Sequence, residues 1–399
     1  MPRVQFMSRT GLRLTGTLDL PPGGVWHASA LFAHCFTCSR NFKAARNISR
    51  ALAASGCAVL RFDFTGLGES EGDFADTTFS SNLDDLEDAA RWLGEHLAAP
   101  QLLLGHSLGG AAVLAVAERL DGVRAIATLG APASVEHVLT HLGDGVQRIE
   151  AEGSAEVVLA GRSFRIRKDF VDDARSHDLG ERLRTLRRAL LVLHAPGDTI
   201  VSIDNATQIF VAALHPKSFV SLDDADHLLS RSEDSHYAGQ VIAAWASRFL
   251  APEHGEPIEG VQVSGRTADG FLCGVEVGAH TLVADEPQAS GGSDQGPDPY
   301  QFLVTALGAC TVMTLNMYAR HKGLAVERVI CRVSHRKLHA KDCADCEAHE
   351  GRIDELSRSI VIEGELSAEQ RARMLEIADR CPVHRTLEGE ITVRTTLAP

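Results

Sequence analysis

The chain has 399 residues and a formal net charge of −14. Because a single core rarely grows beyond about 250–300 residues, this length predicts two domains. The acidic balance, without a cluster of lysine or arginine, argues against partners such as nucleic acid or an anionic membrane. The first 16 residues have no apolar core, so we expect no secretory signal there, and no apolar run approaches the ~18–20 residues of a membrane helix. Nine cysteines without a regular framework favour a reducing cytoplasm, with thiols that are buried, catalytic or metal-binding.

Up to about residue 250, short apolar strands alternate with helical patterns. Residues 4–21 predict an antiparallel hairpin at one edge of a sheet. Apolar stretches without polar alternation predict buried strands at 29–35, 58–64, 102–104, 123–132 and 188–198. Helical patterns lie between them at 41–55, 81–97 and 109–120. This order predicts an α/β domain at residues 1–250, with a parallel sheet covered by helices on both faces.

A linker at residues 251–260, rich in Pro, Gly and Glu, separates this domain from a second one at 261–399. The second domain begins with alternating strands and continues with a long apolar helix that ends at Gly323. Further strands are predicted at 326–339, 357–366 and 389–397, with a helix between the last two. Ser367 and Gln370 have the capping-box spacing at the start of that helix. The second domain is therefore expected to be α+β.

Ser107 stands between an apolar strand and a helix-forming run, in the pentapeptide Gly105-His106-Ser107-Leu108-Gly109. This G-x-S-x-G pattern is typical of a nucleophile at a sharp strand-to-helix turn. Glycines two residues before and after the serine relieve crowding there, and the following helix directs its N–H groups at developing negative charge. A glycine-lined turn without chemistry is the alternative, and the flanking strand and helix favour the catalytic interpretation.

Two later loops supply partners for the serine. Asp198 is the last residue of the predicted strand segment at 188–198. His227 lies in the loop after the strand-like segment "SFVSL". Asp198 directly ends an apolar strand, which favours it over its rivals Asp204, Asp223, Asp224 and Asp226. His227 is favoured over His34, His194 and His236. The order Ser, Asp, His is expected when loops at successive strand ends converge on one edge of a sheet.

Residues 1–250 resemble an α/β-hydrolase, through these features together with "LRFDFTGLGES" (60–70) and "FAHCFTCSRN" (32–41). The resemblance implies acyl transfer by Ser107, with His227 as the base and Asp198 orienting it. Phe36 and Leu108 would supply the two backbone N–H groups of an oxyanion hole. We expect a serine esterase that acts on a small or medium carboxylic ester or thioester, without a cofactor. Residues 135–178 lie where such folds place a lid.

The second domain contains two cysteines that are candidates for redox chemistry. Cys310 lies in "GPDPYQFLVTALGACT" and Cys381 in "RCPVH". Taken alone, both residues read as buried core cysteines. The two segments are similar to the OsmC/Ohr family, which implies a peroxidatic Cys310, a resolving Cys381, organic hydroperoxides as substrates and a homodimer.

The chain also departs from that family's pattern. Tyr300 occupies the position where family peroxidases often carry glutamate, and Arg266 is a candidate for the activating arginine. The alternative is an esterase whose OsmC-like domain serves only for dimerisation or ligand binding.

A third cluster, in "SHRKLHAKDCADCEAHEG", leaves three alternatives open. His339, Cys343, Cys346 and His349 have a spacing that would suit a tetrahedral zinc ion. They would equally suit a small redox-active thiol pair or a polar loop without chemistry. The remaining cysteines are expected to be structural, although Cys35 and Cys38 adjoin the hydrolase pocket and would sensitise it to oxidation.

Overall fold

The computed structural model describes residues 2–36, 38–159, 161–250, 259–278, 280–339 and 352–397. They form two compact units, Met1–Leu282 and Val283–Pro399. The predicted linker residues 251–258 lie outside the described residues, so the linker at 251–260 stays a prediction. The division at Leu282 lies beyond that linker, because strands from the start of the predicted second domain pack within the first unit.

An eight-stranded sheet forms the centre of the first unit, in the order β1-β2-β4-β3-β5-β6-β9-β10. Pairing is antiparallel from β1 through β2 to β4 and parallel across the rest of the sheet. The strands are β1 (Arg3–Met7), β2 (Arg13–Asp19), β3 (Ala28–Ala33), β4 (Cys57–Phe62), β5 (Leu102–His106), β6 (Ala125–Leu129), β9 (Ala189–His194) and β10 (Lys217–Ser221). The predicted edge hairpin and the predicted parallel sheet are thus confirmed.

Helices cover both faces of this sheet. Alternation of side chains explains the apolar run in β5: Leu103 joins one core, whereas Leu102 and Leu104 join the other. The first core includes residues of α2 and α3, and the second includes residues of α1 and α9. The helices are α1 (Lys43–Ala54), α2 (Phe79–His96), α3 (Leu108–Val116), α8 (Asp204–Ala212) and α9 (Ser232–Ala246). The predicted α/β class is therefore confirmed.

The segment between β6 and β9 carries its own small elements, including a hairpin that the sequence analysis did not predict. Strands β7 (Ser154–Leu159) and β8 (Arg162–Arg167) pair antiparallel, with alternating burial along both. The helices of this segment are α4 (His137–Thr140), α5 (Gly145–Glu152), α6 (Lys168–Ser176) and α7 (Leu179–Thr185). Buried Phe164 and Phe170 anchor the segment in the same core as α2 and α3.

A three-stranded sheet follows, formed by β11 (Val261–Gly265), β12 (Cys273–Val277) and β13 (His280–Ala284). Strands β11 and β12 approach the turn at Pro22–Gly24 so closely that a side chain at Gly23 would clash with Ser264. This packing places the start of the predicted OsmC-like domain in the first compact unit.

The second unit packs α10 (Pro299–Lys322) against the long hairpin of β14 (Val326–His339) and β15 (Arg352–Gly364), with α11 (Ala368–Ala378) and α12 (Pro382–Glu388). Asp298 and Gln301 form a capping box at the start of α10, and Gly323 ends it in the left-handed conformation. Helix α11 begins with the predicted capping box of Ser367 and Gln370.

Two expectations about this unit are wrong. By length and composition alone α10 would qualify as a membrane-spanning helix, although the sequence analysis saw no apolar run of that size. Residues 389–397 form no strand, although their apolar residues alternate with polar ones. Ile391, Val393 and Leu397 are exposed there. The segment lacks what a strand requires, because it pairs with no neighbouring strand among the described residues.

Candidate active site

Ser107 lies between the end of β5 and the start of α3, with a φ of 55° that is rare outside glycine. The flanking glycines are sterically required. A side chain at Gly105 would collide with the backbone of Gly109, and one at Gly109 would collide with the carbonyl oxygen of Ala33. The pentapeptide therefore builds a strained turn that projects the serine from the carboxyl edge of the sheet.

Asp198 and His227 are brought together at the same edge, after β9 and β10. His227 Nδ1 donates a 2.7 Å hydrogen bond to Asp198 Oδ2. The other carboxylate oxygen, Oδ1, accepts from the backbone N–H groups of Ile200 and Val201 at 2.8 and 2.9 Å. Burial alone would raise the pKa of Asp198, but these hydrogen bonds hold it below its usual value. The carboxylate is thus kept charged and fixes the imidazole ring.

The histidine ring lies beside the residue that precedes the serine. The rings of His106 and His227 are 5.0 Å apart, and His106 Nε2 donates to the His227 carbonyl oxygen at 2.7 Å. Burial, reinforced by the proximity of His227, lowers the pKa of His106 to about 3, so His106 is neutral. No hydrogen bond joins the Ser107 hydroxyl to the His227 ring in the described part of the chain. Such contacts are often long without substrate.

Two backbone N–H groups are available near the serine. Neither Phe36 nor Leu108 donates its N–H to any other residue that the structure describes. Both residues line one small cleft, together with His34, Phe64, Leu67, Phe79, Asn82, Gly109 and Ala112. The predicted pair of oxyanion donors therefore shares a mostly apolar cleft at the start of α3.

The loop that carries Phe36 is anchored to the loop after β4. Asp63 accepts the N–H of Arg40 at 2.7 Å and the N–H of Glu69 at 3.0 Å, and it pairs with the Arg40 guanidinium. The Arg40 guanidinium also bonds Glu69, at 2.7 Å. The "LRFDFTGLGES" segment thus has a structural task, because its Asp63 and Glu69 hold the end of the loop that carries Phe36.

The same loop contains a feature that the sequence analysis missed. Cys35 and Cys38, expected to be structural thiols, are joined by a disulfide with a Cα–Cα distance of 5.3 Å. The C-x2-C spacing of Cys35 and Cys38 is the signal in the sequence that is compatible with this disulfide.

Aromatic rings from the segment at 135–178 lie over the loop. The Phe36 ring is 5.1 Å from the ring of Phe170 on α6 and 5.1 Å from that of Phe74. Phe74 in turn packs at 4.9 Å against Phe164 on β8. The expected lid segment therefore contributes an apolar wall next to the candidate oxyanion hole.

The second unit contains a polar cluster around Cys381, which is fully buried at the start of α12. The His384 N–H donates to Cys381 Sγ at 3.4 Å, and Thr311 Oγ1 lies 3.7 Å from that sulfur. It is Thr311, the neighbour of Cys310, that makes this contact. The pairing of Cys310 with Cys381 stays a prediction.

An arginine that the sequence analysis did not consider organises this cluster. Arg358 on β15 donates to Thr311 Oγ1 at 2.9 Å, and its other terminal nitrogen bonds Asp379 at 2.8 Å and His384 Nδ1 at 3.0 Å. Arg266, the predicted candidate, pairs instead with Asp269 in its own loop. No motif marks Arg358, because its partners Thr311, Asp379 and His384 lie on elements that are distant from it in the sequence.

Two further sequence predictions concern this unit. Tyr300 stacks on His335 with ring centroids 4.1 Å apart, so the position where the family often has glutamate is occupied by an aromatic stack. The possible zinc or thiol cluster of His339, Cys343, Cys346 and His349 lies outside the described residues, apart from the backbone of His339. Within the described ranges no group of three or more His, Cys, Asp or Glu side chains is arranged to hold a metal ion.

Together, the fold and this edge of the sheet define the first half of the chain as an α/β-hydrolase. The chain belongs to the α/β hydrolase family, whose model matches residues 26–257, and a model for OsmC-like proteins matches residues 291–396. The expected fusion of these two kinds of domain is therefore confirmed.

Two relatives with a described activity match part of the chain. The mouse palmitoyl-protein thioesterase ABHD10, mitochondrial, is 29% identical over 190 residues, which cover 45% of this chain and 62% of that protein. Its rat counterpart is 25% identical over 219 residues, covering 52% of this chain and 71% of that protein. The chain thus spans less than two thirds of the mouse relative's length.

A solved structure also matches a large part of the chain. The esterase domain of a Rhodothermus marinus protein is 49% identical and has a TM-score of 0.52. The match covers 63% of this chain and 99% of that domain. The chain is therefore related to esterases and thioesterases within the α/β hydrolase family, and it also carries an OsmC-like domain.

Proposed function

We propose that the first half of the chain cleaves carboxylic esters or thioesters with Ser107, His227 and Asp198. The observation that carries the proposal is the 2.7 Å hydrogen bond between His227 and a buried Asp198 at the sheet edge that presents Ser107. Similarity to an esterase domain and to proteins named as thioesterases supports the same class of substrate.

The reaction follows from these positions. His227 takes the proton of the Ser107 hydroxyl while the oxygen attacks the acyl carbonyl. The developing oxyanion accepts hydrogen bonds from the N–H groups of Phe36 and Leu108. His227 then returns the proton to the leaving alcohol or thiol, and water releases the acyl group by the same steps. Asp198 stabilises the imidazolium throughout.

The aromatic rings next to the candidate oxyanion hole support a substrate that is recognised through an apolar acyl group. Phe36, Phe74 and Phe170 offer ring surface directly beside the candidate oxyanion donors. The test is a series of p-nitrophenyl esters and acyl thioesters of increasing chain length, with Ser107→Ala as the control. Turnover that rises with acyl length and disappears in Ser107→Ala supports the proposal. Equal turnover in both proteins would overturn it.

We further propose that the OsmC-like half reduces organic hydroperoxides. The Cys310 thiolate would attack the peroxide, breaking the O–O bond, releasing an alcohol and leaving a sulfenic acid. Cys381 would displace water from it to form a disulfide, which an external dithiol reduces. The cluster of Arg358, Thr311 and His384 around Cys381 favours thiol chemistry here.

The alternative is a non-catalytic dimerisation or ligand-binding module. Exposed apolar residues on α10, Met313 and Met317, together with the unpaired residues 389–397, support a homodimer through this half. Dithiol-dependent loss of an organic hydroperoxide that is absent in Cys310→Ser would establish the peroxidase. No such turnover would leave the dimerisation role, which sedimentation of the full chain measures directly. We also propose a cytoplasmic location, consistent with the many free thiols.

A further inference from the structure

The Cys35–Cys38 disulfide lies within the loop that carries one of the two candidate oxyanion donors. The two Cα atoms are 5.3 Å apart, within the range that disulfides require. The Cys38 N–H also donates to the Cys35 carbonyl oxygen at 3.2 Å, so Cys35 and Cys38 are the two ends of a turn that a hydrogen bond and the disulfide both close. The Phe36 N–H belongs to the peptide that joins Cys35 to Phe36. Its direction therefore depends directly on how Cys35 is held.

Fixed anchors lie on both sides of this turn. On one side, buried His34 bonds the Cys35 carbonyl oxygen through Nδ1 at 2.7 Å. On the other side, the Arg40 N–H bonds Asp63 at 2.7 Å. Between these anchors the disulfide is the one covalent constraint that a chemical change can remove.

The two sulfurs differ in their exposure. Cys35 is buried, with 5% of its surface exposed, whereas Cys38 is half-buried. A thiolate from outside therefore reaches Cys38 Sγ first, and Cys35 is the leaving group. Thiol–disulfide exchange depends on this access as well as on the attacking thiol.

We propose that Cys35 and Cys38 form a reversible dithiol–disulfide site that sets the activity of the hydrolase, with dithiols as its reductant. This inference rests on the proposed function of Ser107 and Phe36. One thiolate of the dithiol attacks Cys38, breaking the Cys35–Cys38 bond and forming a mixed disulfide, and Cys35 takes a proton. The second thiol attacks the mixed disulfide, releasing Cys38 as a thiol and the oxidised dithiol. Two electrons and two protons pass to the protein.

The disulfide form is the more active one. Oxyanion donors contribute because they are oriented before the reaction begins, and removing one such donor costs on the order of 10²–10³ in turnover. Opening the turn does not remove the Phe36 N–H but lets it point away for part of the time. We therefore expect reduction to lower turnover by about threefold to tenfold, a fraction of that limit.

Another thiol in the chain provides the control. Burial raises the pKa of the Cys57 thiol to about 12, so Cys57 remains an inert thiol. Cys57→Ala should therefore keep the response of the hydrolase to dithiols.

The test uses the full chain, equilibrated with mixtures of reduced and oxidised dithiothreitol. Maleimide labelling with peptide mass spectrometry counts free Cys35 and Cys38, while ester turnover is measured on the same samples. The labelling of the two cysteines and the fall in ester turnover should have the same midpoint along the series of dithiothreitol mixtures. Cys35→Ser, Cys38→Ser and the double variant should show the turnover of the reduced protein and no response to dithiothreitol.

Three results would overturn the inference. These are turnover that is unchanged while both cysteines become labelled, a double variant with the oxidised protein's turnover, and full labelling before any reductant is added. Labelling does not depend on ester cleavage, which separates the two proposals. If the labelling of Cys35 and Cys38 changes with the dithiothreitol mixture but no sample cleaves any ester, the proposed hydrolase activity and its regulation by dithiols are both wrong. The dithiol–disulfide site itself would then still be established.

Discussion

His227 and Asp198, 29 residues apart in the chain, share a 2.7 Å hydrogen bond at the carboxyl edge of the sheet. Two further hydrogen bonds from backbone N–H groups hold the Asp198 carboxylate. This pair orients one imidazole nitrogen toward the carboxylate, and in the proposed mechanism the other nitrogen acts on the serine.

Asp198→Asn should lower kcat by about 10³–10⁴-fold with little change in KM, because an amide no longer stabilises the imidazolium or selects its tautomer. Steady-state ester kinetics measure this effect. Asp204→Asn is the matched control, since Asp204 was a rival for the same role and contacts only Ser202 among the side chains described. Comparable losses in the two variants would contradict the assignment.

His106 should make stability depend on pH. Its folded pKa is about 3, whereas the unfolded residue titrates near 6.5. Below about pH 6.5, His106 binds a proton in the unfolded chain but not in the folded protein. The free energy of unfolding therefore falls as the pH drops toward about 3. His106→Gln keeps a donor for the His227 carbonyl oxygen but removes the titration.

Urea unfolding of both proteins checks this expectation. Between about pH 7.5 and about pH 5, the wild type should lose about 2 kcal/mol more than His106→Gln. Parallel losses in the two proteins would show that His106 is protonated equally in the folded and unfolded states.

Arg40→Met should destabilise the protein by about 3–5 kcal/mol, because it leaves the buried charge of Asp63 without its partner. The side chains of Arg40 and Asp63 are 5% and 0% exposed. The exposed pair of Arg165 and Glu156 is the control, and Arg165→Met should cost at most about 1 kcal/mol. Chemical denaturation measures both values. An Arg40 variant as stable as the control would show that the anchor of the oxyanion loop is dispensable.

Arg358→Met should slow the proposed reduction of organic hydroperoxides by about tenfold or more, because charged hydrogen bonds that organise the Cys381 cluster are lost. Arg358→Lys should restore only part of the rate, since an ammonium group lacks the planar fork. Arg371→Met is the control, as Arg371 bonds carbonyl oxygens of Ile362 and Gly364. Equal rates in all variants would remove Arg358 from the chemistry.

The parts of the fold that follow local rules were predictable from the sequence. Apolar runs such as 102–104 and 188–198 indicate parallel strands, because a strand that is buried on both faces has no alternation of polar and apolar residues. Ser107, Asp198 and His227 lie beyond the carboxyl ends of β5, β9 and β10, so their convergence is a consequence of parallel pairing. Capping residues such as Ser367 mark helix starts by themselves.

The features that the sequence analysis missed depend on contacts between distant elements. Arg358 on β15 bonds Thr311 on α10 and His384 on α12, and no spacing in the sequence encodes these contacts. The hairpin of β7 and β8 was not predicted, because it lies in a segment with many charged residues of both signs. Residues 389–397 alternate like a strand, but alternation cannot supply a neighbouring strand.

Covalent labelling by a fluorophosphonate tests the central claim, that the His227 ring activates the Ser107 hydroxyl. In the wild type the phosphonate should be found on Ser107 by peptide mass spectrometry, and its rate constant should fall by about 100-fold or more in His227→Ala. Phosphonate on a different serine, or a His227→Ala protein labelled at the wild-type rate, would contradict the account.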